Sequence, residues 1–524
     1  MKTPDERPTV DSHRQPTLFR RQFARGAGAG ALAAVAGCLG SDGDEEETTV
    51  RVASRLTPES VDPINDGTIL RRIGLIESLV TVDFDSALAP SLATEWTVDD
   101  DDRTWVFELR DGVQFHDGTE LSASAAVTSL ERSFSEPALT DIPVESVSAR
   151  GDHALEVTTE RPFAPLPAHL ARHETALLSP DSYNEDGSIE TPYATGPFAL
   201  DSWQPEDHVT VSRNDDYYGT VPTVDTAVYK SVPDNQTRAL TLENREVEMA
   251  QVLPASAVDT LEAADGIEVE IYEIPRMRCA QFNTRFAPFD DQRVRQAASK
   301  AIDRELIAEE LLDGLIDPAI GPYPPSVEWA NDDLEPHRYD PDRAAELLEE
   351  AGWTGSDVRK KDGEELSVTI VTYPNRPALP DIAEVLQSQL GAVGFDADVE
   401  IWEVSAIHDQ AADEAEIVIW SANVHGWPAD PDRLSYMFHS EEGGLHHGYD
   451  NPEVDDLLEE GQEAVDDFDR RKEMYDEVQR ITMEEVPVTY FTYYEMIVGR
   501  LEELRGYDHH PTEYSFHLEN VTLE

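Results

Sequence analysis

Polar and apolar positions alternate along Thr48-Thr49-Val50-Arg51-Val52-Ala53, the period of a half-buried strand, and apolar residues then recur at helical spacing from Ile69 to Leu79. Between Trp96 and Phe115 the pattern returns to short alternating runs, among them Thr104 to Leu109. Arg110-Asp111-Gly112 and His116-Asp117-Gly118 punctuate these runs, and such spacing predicts β-hairpins. A helix is predicted over Ala123 to Phe134 and a strand over Ala154 to Thr159, before Pro162, Pro165 and Pro167 interrupt regular structure. Arg293 to Leu312 and Asp342 to Ala351 carry the apolar stripe of amphipathic helices. The second follows Asp340-Pro341, where a carboxylate caps free amides and proline fits the first turn. Leu366 to Thr372 and Ile417 to Trp420 are apolar runs that predict buried strands. Strands and helices interleave without an internal repeat, so the fold class is α/β and solenoids and propellers are disfavoured.

Length and charge narrow the picture. A chain of 524 residues exceeds the size at which one core stops growing, so two or three lobes sharing a cleft are expected. Hydrophobic residues make up 40%, enough for several cores. The 108 acidic against 40 basic residues give a formal net charge of -68, which repels nucleic acid and anionic headgroups. Lysine occurs only at Lys2, Lys230, Lys300, Lys360, Lys361 and Lys472, so arginine carries most of the positive charge. This balance suits a salt-rich habitat, where the screening length falls to about 3 Å and self-repulsion becomes tolerable. Two cysteines, Cys38 and Cys279, cannot supply a disulfide framework.

The first residues predict a compartment. Arg20 and Arg21 precede a small-residue apolar stretch, Gly26 to Ala36, that is too short to span a bilayer. This is the pattern of a twin-arginine export signal. Val35-Ala36-Gly37-Cys38 then resembles a lipobox, with Cys38 as the lipidated residue. Residues 1–38 are therefore expected to be signal and 39–47 an acidic tether, leaving the protein on the outer face of the cytoplasmic membrane. Asn235-Gln236-Thr237 and Asn520-Val521-Thr522 are sequons that matter only outside the cell.

Several blocks, in order, resemble the family 5 extracellular solute-binding proteins, the peptide and nickel receptors of ABC importers. They are Ile76 to Val80, Leu88 to Trp96, Trp105 to Gly118, Ala194 to Phe198 with Trp203, Arg213 to Gly219, Phe282 to Thr284 leading into Pro288 to Ala297, Ala301 to Arg304, and Ala344 to Trp353. Two departures are Ala125-Ala126, where most peptide-binding members carry Asp-Val, and Asn244 to Glu248. The resemblance implies a periplasmic-binding-protein-like, class II architecture of two hinged lobes and three domains. It places domain I at 48–82, 193–278 and 488–524, domain II at 83–192 and domain III at 279–487. It also implies a monomeric receptor that shuts over a di- or oligopeptide and passes it unaltered to a permease, with a nickel chelate as the alternative cargo and no cofactor. A secreted hydrolase is the rival class, but no Gly-x-Ser-x-Gly elbow or His-Glu-x-x-His pair is present.

The same resemblance nominates the ligand residues. In Gly426-Trp427-Pro428-Ala429-Asp430 it makes Asp430 the partner of a peptide α-amino group and Trp427 a nearby wall, against a structural Asp-Pro turn and a core tryptophan. Arg172 falls where the nickel branch grips carboxylates, against an ordinary salt bridge. His439, His446 and His447 lie near the nickel branch's histidine, against a solvated loop.

Overall fold

The structure is a computed structural model that describes residues 47–423, 430–441, 443 and 447–524, apart from the side chains of Asp409 and Asn423. Arg20, Arg21, Cys38, Trp427 and His446 lie outside the described residues.

Among the described residues, ten strands form one mixed sheet. At its middle two long strands, Ile267–Phe282 and Val488–Leu501, run antiparallel from Ile267 opposite Leu501 to Gln281 opposite Val488. To one side lie Met249–Gln251, Thr49–Ser54, Thr226–Ser231, His208–Arg213 and Phe198–Gln204. To the other lie Ile417–Asn423, Ser367–Thr372 and Asp396–Ile401. The sheet is therefore shared by two lobes, and the long pair is the continuous backbone that joins them.

Each lobe has its own core. In the first, Val50, Val52, Val211 and Tyr229 pack against Ile69, Leu70 and Phe516, while Leu242, Leu253 and Leu261 cover another face with Ile497. In the second, Ile370, Ile417 and Ile419 pack against Leu386, Leu390 and Ala298, and Cys279 and Tyr490 against Tyr475 and Val478. A four-stranded antiparallel sheet, Ala93–Val98, Thr104–Leu109, Ala154–Thr159 and Val144–Ala149, backs onto the helix Ala123–Phe134 around Phe107, Leu130 and Phe163.

The hairpin, the helix over 123–134 and the strands at 49–54, 154–159 and 367–372 appear where the patterning predicts them. Two expectations are corrected. Only Ile69 to Arg72 of the apolar spacing from Ile69 to Leu79 is helical: the helix is Pro63–Arg72, begun earlier because the Asp62 carboxylate accepts from the Ile64 amide at 3.1 Å and ended at Ile73, after which the chain to Leu79 is irregular. The single helix expected over Arg293 to Leu312 is broken: Gln292–Lys300 ends, and Asp303 caps a new start at Arg304–Leu306, followed by a π-turn over Ile307–Leu311. The Asp303 carboxylate accepts from the Leu306 amide at 3.0 Å, a local bond that competes with helix continuation.

The order of the sequence blocks has a structural cause. Glu77 accepts hydrogen bonds from Thr195 Oγ1, Tyr217 Oη and Tyr218 Oη at 2.8 to 2.9 Å, so three distant blocks converge on one carboxylate. Burial pushes that carboxyl up to about 7, against the lowering pull of the three hydroxyls. His116 Nε2 bonds the Gly196 carbonyl at 3.0 Å and the His116 amide donates to the Ala194 carbonyl at 2.8 Å, with Gly118 closing the turn at a φ of 81°. These motifs hold the first lobe together.

Candidate functional site

A cavity of about 350 Å³ opens where the long strands pass between the lobes. That lies toward the lower end of the range for small-molecule sites. Arg55 reaches it from the end of the parallel strand Thr49–Ser54, and Tyr373, Asn375 and Arg376 from the end of the parallel strand Ser367–Thr372. The carboxyl ends of parallel strands, where side chains are released from the ladder, are where open α/β sheets bind ligands.

Arg276 enters through a local defect. The pairing of Ile267–Phe282 with Val488–Leu501 shifts between Ile274, opposite Tyr494, and Met277, opposite Tyr493. Pro275 lacks the amide that the ladder requires, so Pro275 and Arg276 form a bulge that re-aims the arginine. Trp420 and Ser421 come from the neighbouring strand Ile417–Asn423, His408 from the helix Val404–Glu414, and Arg433 and Tyr436 from Arg433–Phe438. Tyr373 and His408 flank Trp420 with ring centroids 5.8 and 5.2 Å away, and Arg433 lies 3.9 Å from the Tyr436 ring. One wall is thus aromatic and the other cationic.

Behind the cationic wall stands Glu513, buried and at a φ of 60°. Its carboxylate accepts from Arg276 Nε at 3.0 Å, from Arg376 Nη2 at 3.3 Å and from Arg72 Nη2 at 3.4 Å. Arg376 comes from the second lobe and Glu513 from the C-terminal segment packed on the first, so this bond crosses between the lobes. Burial works to raise the Glu513 carboxyl, yet Arg376, Arg276, Arg72 and Arg55 outweigh it and hold it well below the usual carboxylate range. The arginines suffer the converse. Burial and then the Arg376 charge bring Arg55 down to about 9, with Arg276 and Arg72 adding and Glu513 opposing. The same two causes, burial then Arg376, bring Arg276 down to about 10.

Of the residues nominated from sequence, the described ones, Asp430, Arg172, His439 and His447, do not line this cavity. Asp430 is buried, and its carboxylate accepts both Arg471 Nη2 at 2.8 Å and Arg471 Nη1 at 3.1 Å, with the Asp432 amide also donating at 3.0 Å. Arg172, also buried, donates to Asp141 at 3.0 Å, to the Ala138 carbonyl at 2.8 Å and to Glu174 at 3.2 Å. Neither lines the cavity. His439 and His447 border a separate cleft of about 20 Å³, where His439 Nε2 lies 3.4 Å from Glu459. Among the described residues no three His, Cys, Asp or Glu side chains gather as a metal site. The structure instead brings together Arg55, Arg276, Arg376 and Arg433, which sequence reasoning passed over. The available signal was an arginine beside proline at Pro275-Arg276 and Arg376-Pro377, just after a strand-like run.

Comparison with known proteins agrees with this architecture. Residues 87–445 match the model of the bacterial extracellular solute-binding proteins, family 5. The dipeptide-binding protein of Escherichia coli K12 is 27% identical over 83% of this chain and 86% of its own length, and the glutathione-binding protein GsiB of the same strain 28% identical over 91% and 95%. Among solved structures, NikA from Staphylococcus aureus in complex with Ni(L-His)2 superposes with a TM-score of 0.80 at 22% identity, covering 91% of this chain and all of that one. DppA from Helicobacter pylori in complex with the peptide STSA gives 0.78 at 25% identity over 91% and 98%. With the match spanning most of the described residues and both lobes preserved around a cleft, the chain belongs to the family 5 extracellular solute-binding proteins.

Proposed function

We propose that this protein is the substrate-binding receptor of an ABC importer, closing its lobes over a small peptide-like solute and releasing it unaltered to a permease. The observation that carries the reading is a partly open cavity between two lobes, walled by aromatic rings and guanidiniums and bridged by the Arg376–Glu513 pair. Two lobes on a shared pair of strands let ligand contacts drive closure, because the closed form gains interactions that the open form lacks. On this reading 48–82, 193–278 and 488–524 form domain I, 83–192 domain II and 279–487 domain III. Export through the twin-arginine signal and anchoring through Cys38 would place it at the cell surface as a monomer in a salt-rich medium. No helix among the described residues is long and apolar enough to cross a membrane.

Relatives that bind dipeptides and glutathione support a peptide-like cargo. A nickel chelate is the second reading, supported by the nickel-receptor fold and by His408 on the cavity wall. Thermal melts in molar KCl with alanyl-alanine, glutathione and Ni(L-His)2 separate the two. The ligand that raises Tm should also contract the protein in X-ray scattering. A protein whose scattering profile ignores every solute, and which hydrolyses one of them, would not be a receptor.

A further inference from the structure

The charge of the cavity runs against the charge of the chain. A protein with 108 acidic and 40 basic residues would be expected to line a random cleft with carboxylates. Instead, among the described residues, the cavity wall carries Arg55, Arg276, Arg376 and Arg433 and neither Asp nor Glu. Behind it, Glu513 is one counter-charge for Arg72, Arg276 and Arg376 within 3.4 Å, with Arg55 facing the same group. Several donors are also unsatisfied. Arg55 Nε, Arg376 Nη1, Trp420 Nε1 and Ser421 Oγ are buried without a hydrogen-bond partner among the described residues, and Arg376 is only 1% exposed. Buried donors left in this state cost stability unless something accepts from them. Conversely, among the described residues the wall offers no carboxylate to an ammonium group, and the Asp430 carboxylate is already held by Arg471.

Resting on the receptor reading above, we infer that the cavity selects a small organic polyanion bearing at least two carboxylates, and discriminates against neutral or simple zwitterionic peptides. Guanidinium N–H groups make strong charge-assisted bonds to carboxylates. Arg276 is held by Glu513 and by the Ser421 carbonyl at 2.7 Å, whereas Arg55 Nε and Arg376 Nη1, on two different side chains, are open among the described residues and suit separate carboxylates better than one. Gln281 Oε1 and Asn375 Oδ1, also without partners among the described residues, would accept from a hydroxyl or amide of the same ligand. The arrangement resembles other functional sites in holding like charges together at the expense of stability.

Titration calorimetry and melting curves in molar KCl test this with tricarballylate, its neutral triamide, alanyl-alanine, and tricarballylate with Ni²⁺. Tricarballylate should bind and raise Tm while the triamide and alanyl-alanine do not, and tighter binding in the nickel arm would mark a chelated polycarboxylate as the source. Arg55→Gln should weaken tricarballylate by roughly tenfold or more. Because Arg55 faces Arg376 and Arg276, the same variant should melt at or above the parent temperature, an outcome that separates lost recognition from lost folding. Alanyl-alanine binding with tricarballylate inert overturns the polyanion assignment and leaves the receptor standing. If neither binds, mass spectrometry of solute carried through purification decides: a neutral or cationic solute overturns the assignment alone, a polycarboxylate supports it, and a protein that carries nothing and binds nothing overturns both.

Discussion

Asp430→Ala should unfold the second lobe more easily rather than empty the cavity. Asp430 is 5% exposed and Arg471 8%, and two bonds of 2.8 and 3.1 Å join them. Arg471 also donates to the Gly461 carbonyl at 3.0 Å and lies between the rings of Trp329 and Tyr475, 5.3 and 5.6 Å from their centroids. Burial alone would lower the Arg471 guanidinium, but Asp430 raises it above its ordinary value, so the arginine is charged in the fold at any working pH. Removing Asp430 leaves that charge buried and unpaired, which costs about 3–5 kcal/mol. Replacing both residues, in Asp430→Ala with Arg471→Met, removes the stranded charge, and the double variant should be more stable than the Asp430→Ala single. Since the pair is shielded from solvent, molar salt should not abolish the effect. Urea melts of the four proteins of this cycle, followed by tryptophan fluorescence, measure the coupling. If Asp430→Ala melts with the parent and instead loses ligand-induced stabilisation, the pair is not structural and Asp430 is a ligand residue after all.

Three further outcomes follow from buried groups. Glu77 titrates near 7 in the fold and near 4.5 unfolded, so the folded state binds the extra proton between those values and the carboxyl's favourable contribution is lost as pH rises through that window. Glu77→Gln should therefore gain Tm relative to the parent between pH 5 and pH 7.5, and parallel curves would refute the shift. Arg172→Met should destabilise by about 1–3 kcal/mol, because buried Glu174 is left, among the described residues, with His173 alone while half-exposed Asp141 turns to water, without changing solute affinity. A selective loss of Ni(L-His)2 uptake in equilibrium dialysis would return Arg172 to the ligand site. Burial pushes the Cys279 thiol up to about 12, so peptide mapping should find it unlabelled by iodoacetamide at pH 8 until urea is added; rapid labelling of the folded protein would contradict its placement.

Local patterning carried much of the fold. The hairpin around Thr104–Leu109 and the helix Ala123–Phe134 follow from their own periodicities and from turns that only a few residue types tolerate. The long pair at the centre did not show itself, because Val488–Leu501 is buried on both faces along nearly its whole length, and a strand with no solvent face has no polar alternation to read. The broken helix near Ala301 escaped notice because its apolar stripe continues across the break while one carboxylate, Asp303, stops the ladder.

The amino-acid order alone determined the layered α/β character and a sequence of blocks whose side chains now meet around Glu77. Only the tertiary structure decided which charges gather at the cavity. In isolation Arg55, Arg276, Arg376 and Arg433 are four arginines among many, and each would pair with one of the abundant carboxylates at the surface. The crossing of two long strands, a proline bulge and two strand ends bring them to one cavity, and burial removes the water that would have screened them. The same packing closes Asp430 onto Arg471, because a carboxylate's role is set by which cation reaches it first in three dimensions, and that distance is not written in the chain.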